Sequence, residues 1–133
     1  MRKLILYPLF CIIAVSANAT NWVQLENYSS YIDTDSVSIF NENTQVVTAF
    51  FKNENMSSIK LKSKNRIVDS IREQSAFNCK NKTSSVIAGV EYDSNKMPIN
   101  SFSNSIYGPF SVIHPETLGD HKMKAACRIA GFR

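Results

Sequence analysis

The sequence predicts an α+β fold, an antiparallel β-sheet with one C-terminal α-helix packed on it and tied to it by a disulfide. Three observations carry this. Short runs of β-favouring residues alternate with polar turns through most of the chain. After Pro115 the apolar residues switch to helical spacing. Two cysteines, Cys79 and Cys127, are left to pair once an export leader is set aside.

The leader comes first. Arg2 and Lys3 precede an apolar run over residues 4–15, and Ala17-Asn18-Ala19 follows with small residues at both positions a signal peptidase reads. The run is too short for a transmembrane span and lacks a basic stop-transfer flank. Residues 1–19 are therefore expected to be cleaved as a signal peptide between Ala19 and Thr20, leaving residues 20–133 as one domain large enough for a real core. Cys11 sits inside the apolar run after Phe10, with more apolar residues behind it. It reads as hydrophobic filler rather than a lipidation site. Loss of Arg2 and Lys3 takes the formal charge from +4 to +2, too little to argue for nucleic acid or a membrane surface.

Along the domain, residues 22–25 open a first strand and residues 31–33 a second extended piece. Thr34-Asp35-Ser36 reads as a tight turn with the Asp33 carboxylate free to accept from the following N–H groups. Residues 37–40 and 45–52 look like the arms of a hairpin. In the second arm Val47, Ala49 and Phe51 alternate with Val46, Thr48 and Phe50. Both sets are apolar, so this strand is expected to be central. Residues 52–64 read as a long polar surface loop. Residues 66–78 leave strand and helix both open: Ile67, Ile71 and Phe77 share one side of a strand, but so do Asp69 and Glu73. A strand is preferred because Cys79 and a polar turn follow directly. Residues 84–92 form the clearest strand, with Val86, Ala88, Val90 and Tyr92 on one face. Residues 93–96 make a hairpin loop, residues 97–103 return, and residues 110–113 form a last extended piece.

The segment from His114 resembles a helix start, with Pro115 in the first turn and Glu116 near the positive end of the dipole. Leu118, Met123, Ala126, Cys127 and Ala130 fall on one side, Lys122, Lys124 and Arg128 bring cations toward the C-terminus, and Gly131 ends it. In an oxidising compartment Cys79 and Cys127 are most simply read as a disulfide. Chain-entropy bookkeeping gives that loop about 4 kcal/mol.

The order of these motifs resembles one family, the bacterial surface-adhesin protein E proteins. The resemblance begins at Trp22 and runs through Tyr31-Ile32-Asp33-Thr34-Asp35-Ser36-Val37. Arg66, Ser70, Arg72 and Asn78-Cys79 continue it, then Glu91-Tyr92-Asp93. It closes with Ile113-His114-Pro115-Glu116-Thr117 and Ala125-Ala126-Cys127. It implies a sheet of about six antiparallel strands with a disulfide-fixed helix. It also implies a non-enzymatic role at the envelope of a Gram-negative bacterium, in the periplasm, at the cell surface or secreted, by protein–protein binding to host extracellular-matrix or serum proteins. A homodimer and a soluble periplasmic accessory role fit the same resemblance.

Lys60, Lys62, Lys64 and Arg66 alternate, so an extended chain would align them as one basic edge, with Arg72, Lys80 and Lys82 nearby. The functional reading is a patch for an acidic partner; the bland one is a solvated strand edge. Other constellations carry less. Asp120-His121 lies on a helix side expected to be wet, with no nucleophile motif to serve. Cys79, Cys127, His114 and His121 match no zinc spacing. Asp33 and Asp35 lack an EF-hand context and read as turn formers. No catalytic residue, metal or cofactor is expected.

Overall fold

A computed structural model describes residues 20–133; the expected signal peptide, with Ala19, lies outside the described residues. The chain runs β1 (Trp22–Gln24), β2 (Ser30–Asp33), β3 (Ser38–Asn41), β4 (Val46–Asn53), β5 (Lys62–Ser63), β6 (Arg66–Ile67), β7 (Ser70–Asn78), β8 (Thr83–Tyr92), β9 (Pro98–Ser103), β10 (Ser111–Val112) and α1 (Leu118–Ile129). Eight strands form one antiparallel sheet in the order β1-β2-β4-β7-β8-β10, with β3 also on β4 and β9 also on β8. β5 and β6 form a separate two-stranded hairpin. The expected fold class holds. The strand number rises because each flank is split. β2 and β3 share one edge of β4, broken by the 3-10 turn Thr34–Ser36, while β9 and β10 share the outer edge of β8.

Asp33 starts the first break as its sequence suggests. Its Oδ1 accepts from the N–H groups of Asp35 (3.1 Å) and Asn21 (3.2 Å). β4 is central, between β2/β3 and β7. Val47, Ala49 and Phe51 are wholly buried against α1, where Met123, Ala126 and Cys127 face them. Phe51 meets Phe77 edge to face at 5.7 Å, and each such ring contributes roughly 1.5–3 kcal/mol by burial. The Cys79–Cys127 disulfide fixes the end of β7 to the last turns of α1.

Glu73 and Lys122 depart from simple patterning. Glu73 lies opposite Phe51 on the helix-facing side of β7. Lys122, read from sequence as one of the cations toward the helix C-terminus, turns inward and places Nζ 2.5 Å from Glu73 Oε1 and 5.3 Å from the Phe51 ring centre. This ion pair explains why an acid interrupts the apolar side of residues 67–77.

Three boundaries move, and one residue changes face. α1 begins at Leu118, with Thr117 as its N-cap, so Pro115 precedes the helix rather than occupying its first turn. The segment 66–78 is two strands, because the chain crosses from hairpin to sheet at buried Val68. The expected loop over 52–64 contains the end of β4, a 3-10 turn at Ser57–Ile59 and β5. A bulge between Ala88 and Val86, opposite Gln74 and Ser75, moves Val86 to the helix-facing side and leaves Ala88, Val90 and Tyr92 on the outer face. At its C-terminus α1 closes as the sequence suggests. The N–H of Gly131 donates to Arg128 O and that of Phe132 to Cys127 O, with Gly131 at φ 89°.

Two stability outcomes are expected. Cys79→Ser or Cys127→Ser lowers stability by about 2–4 kcal/mol in urea unfolding, and an unchanged midpoint under oxidising conditions would remove the bridge from the account. Lys122→Met alone costs roughly 3–5 kcal/mol by leaving Glu73 unpaired, whereas Glu73→Leu combined with Lys122→Met restores most of the loss; a double-mutant cycle reads the coupling.

Candidate functional site

The basic residues singled out from sequence do not form one edge. Lys60 follows the 3-10 turn at φ 53°, and Lys64 and Asn65 both have positive φ (48° and 62°) as the two-residue turn between β5 and β6. Alternation therefore ends at Lys64, and Arg66 lies on the returning strand opposite Ser63. Arg66 pairs with Asp93. Arg72 lies on β7, which carries the chain about 26 Å from Ser70 to Asn78 before Lys80 and Lys82 appear at the β7–β8 turn. Extended geometry thus separates Lys80 and Lys82 from the hairpin instead of gathering them beside it.

What remains together is the hairpin. Lys60, Lys62 and Lys64 are exposed and have no ion-pair partner among the described residues. Ile59, Leu61 and Ile67 are interleaved with them and are 66%, 42% and 45% exposed. The hairpin is moored at its turn end, by the Ser63–Arg66 pair that flanks Lys64-Asn65. Ser63 Oγ donates to Glu91 Oε1 at 3.0 Å, and Arg66 reaches Asp93 at the β8–β9 turn. The N–H groups of Met97 and Asn95, at 3.0 and 2.9 Å, complete the shell of Asp93. The Met97 N–H, with Arg66 and Asn95 adding to it, holds the Asp93 carboxyl below its ordinary range.

The outer face of the sheet is a second surface, which no spacing motif announced. Alternation along β1, β2 and β4 places Trp22, Tyr31, Phe50 and Lys52 on the side away from α1. Lys52 Nζ sits 4.9 Å from the ring centres of both Trp22 and Tyr31. A trough of about 570 Å³ runs between Trp22, Phe50, Arg72, Val90 and Tyr92. The available signal was the second apolar set of β4, residues 46, 48 and 50.

Asp120 and His121 have structural duties. Asp120 is buried rather than wet. It is the third residue of the helix, accepting from the Glu116 N–H at 3.1 Å and pairing with Lys124 at 3.0 Å. Its own N–H donates to Thr117 Oγ1. His121 is half-buried, 5.3 Å from the Tyr28 ring and 3.3 Å from Glu26 Oε1. His114 is exposed, and its carbonyl accepts from Thr117 Oγ1. Among the described residues no three His, Cys, Asp or Glu side chains gather as a metal site, and no described helix is long and apolar enough to cross a membrane.

Known proteins give the fold a context. The family model of Surface-adhesin protein E matches residues 22–128. Two solved structures of Haemophilus influenzae protein E are similar. One, a second crystal form, has a TM-score of 0.57 at 19% identity and covers 83% of this chain and 89% of that one. The other has a TM-score of 0.53 at 18% identity and covers 80% and 83%. No curated protein sequence matches.

Lys124, followed by the Glu116 N–H, holds the Asp120 carboxyl below its ordinary value of 3.8, against the opposing effect of burial. A lowered folded value stabilises the protein above about pH 4, and the contribution is lost as pH falls through that folded value. Thermal melts of Asp120→Asn are therefore expected to show lower stability near neutrality and a shallower decline below pH 4 than the parent. Parallel acid limbs would assign the acid sensitivity to other carboxylates.

Proposed function

The chain belongs to the Surface-adhesin protein E family, and from that premise we propose that it is a non-enzymatic, exported envelope protein that binds a protein partner through the β5–β6 hairpin. The observation that carries the reading is the hairpin itself, with three unpaired lysines interleaved with three exposed aliphatic side chains. Such a surface has both elements a protein interface uses. Apolar side chains supply area to bury, and cations raise the encounter rate with an acidic partner. Acidic segments of host extracellular-matrix or serum proteins are partners of this chemistry. The remaining basic residues act elsewhere: Arg66 moors the hairpin, and Lys80 and Lys82 stand at the far end of β7. Non-enzymatic action is supported by the structural duties of Asp120 and His121, the pair that had invited a catalytic reading.

The test is capture of matrix and serum proteins by the disulfide-bonded protein, compared with a Lys60→Glu, Lys62→Glu, Lys64→Glu variant. The variant is expected to melt within a few degrees of the parent, since all three side chains are exposed. Its affinity for the captured partner should fall at least tenfold, with a flattened dependence on salt. Equal capture and an equal salt slope would assign these lysines to solubility and remove the hairpin as the binding surface.

A further inference from the structure

The trough on the outer face of the sheet is separate from the hairpin and differs from it in chemistry. Its sides are Trp22, Phe50, Val90 and Tyr92, with Ala88 toward β9. Phe50 stays 46% exposed although it lies mid-way along a central strand. A volume of about 570 Å³ falls within the roughly 300–1,000 Å³ of small-molecule sites, which are apolar with a few convergent polar groups. The charges around it are unequally committed. Asp33 is buried and already accepts from two backbone N–H groups. Glu73 is held by Lys122 on the other face of the sheet. Lys52 is spread over Trp22 and Tyr31, and Glu54 stands 3.9 Å away. Arg72 is the one cation lining the trough; it has no ion-pair partner among the described residues and is exposed at the rim, whereas Asp33, a lining acid also without an ion pair, is buried and taken up by backbone N–H groups.

We infer that this trough binds a free single-chain amphiphile with a carboxylate head, its acyl chain lying along Phe50, Val90 and Trp22 and its head on the Arg72 guanidinium. Charge complementarity selects the occupant. An apolar ligand with a cationic head would meet an uncompensated arginine, while a carboxylate gains a bidentate, charge-assisted pair. An apolar chain without a charge would leave Arg72 as it is and gain from the trough walls alone.

Trp22 is the only tryptophan of the chain and lines the trough, so it reports occupancy directly. Dodecanoate, titrated into the disulfide-bonded protein below its micelle concentration, is expected to shift Trp22 emission to the blue with saturation. Dodecanol and dodecyltrimethylammonium at the same concentrations should bind at least tenfold more weakly. Arg72→Gln should bring dodecanoate affinity down about tenfold, to the level of dodecanol, while leaving dodecanol binding unchanged. Phe50→Asp, at an exposed position, should abolish both responses with the melting temperature kept. An unresponsive Trp22, equal binding of the cationic amphiphile, or an Arg72→Gln variant that keeps its preference would overturn the inference. So would a response confined to anionic vesicles, which would make the face a membrane contact. A dimer in sedimentation that Phe50→Asp splits, with no amphiphile response, would give the face to a second copy of the chain and overturn it equally.

Discussion

The fold depends on how α1 is held to one face of the sheet. A 12-residue helix is marginal on its own in water, so its stability has to come from docking. Two covalent or ionic anchors lie along the same strand. Glu73, mid-way along β7, takes Lys122, and Cys79, just past its end, takes Cys127. A single anchor would let the helix swivel; two, separated along β7, fix its rotation and its position together. Between them Met123 and Ala126 close over Val47, Ala49 and Phe51. The helix ends are satisfied internally, by Thr117 and Asp120 at one end and the Gly131 turn at the other.

One consequence is an asymmetric sheet. The helix covers only the inner face, so the outer face must be managed by other means. At the end near the β7–β8 turn, residues 104–110 come across it. There Tyr107 meets Phe40 edge to face at 5.7 Å, and Thr48 and Ala76 beneath are buried. At the opposite end no described segment does the same, and the apolar set continues into the open around Phe50. Lys52, laid over Trp22 and Tyr31, softens that surface with a charge while its aliphatic stem stays on the rings. The trough is thus a by-product of placing one helix on a sheet whose central strand is apolar on both sides.

How much of this was legible follows from the range of the interactions concerned. The alternation of β4, the Asp33 turn and the Gly131 stop are local, and their residues signal them. Pairing of Cys79 with Cys127 was legible because reading residues 1–19 as an expected leader sets aside the one competing cysteine, Cys11. The Glu73–Lys122 pair spans 49 residues, and nothing near either residue names the other. Glu73 therefore read as a flaw in a strand and Lys122 as one of the cations toward the helix C-terminus. The basic edge failed for a different reason. A two-residue turn with both φ values positive is usually signalled by Asn-Gly, and here it is built from Lys64-Asn65. Lacking the glycine, the stretch read as continuous chain. The bulge that turns Val86 inward likewise carries no glycine or proline at its position. Protein E from Haemophilus influenzae has a similar fold at 18–19% identity, as expected if patterning specifies it rather than particular surface residues.

The two candidate surfaces are mounted differently, and that difference argues for different occupants. The β5–β6 hairpin has two cross-strand residue pairs and is joined to the sheet by the side chains of Ser63 and Arg66, which flank its turn. Segments with so few buried contacts open at low free energy. Such a segment can adjust to the contour of a macromolecule, and the large area of a protein interface offsets the ordering that binding imposes. Apart from Trp22 on β1, the trough walls stand on β4, β7 and β8, the three longest strands, paired along their lengths. Their backbone cannot reshape without breaking the ladder that also carries Glu73 and Cys79. A small ligand has little area with which to offset reorganisation, so a preformed site is the only kind it can use well. The clamp that holds α1 therefore does more than stabilise the helix: by stiffening β7 it also fixes the position of Arg72 on the other side of the same strand.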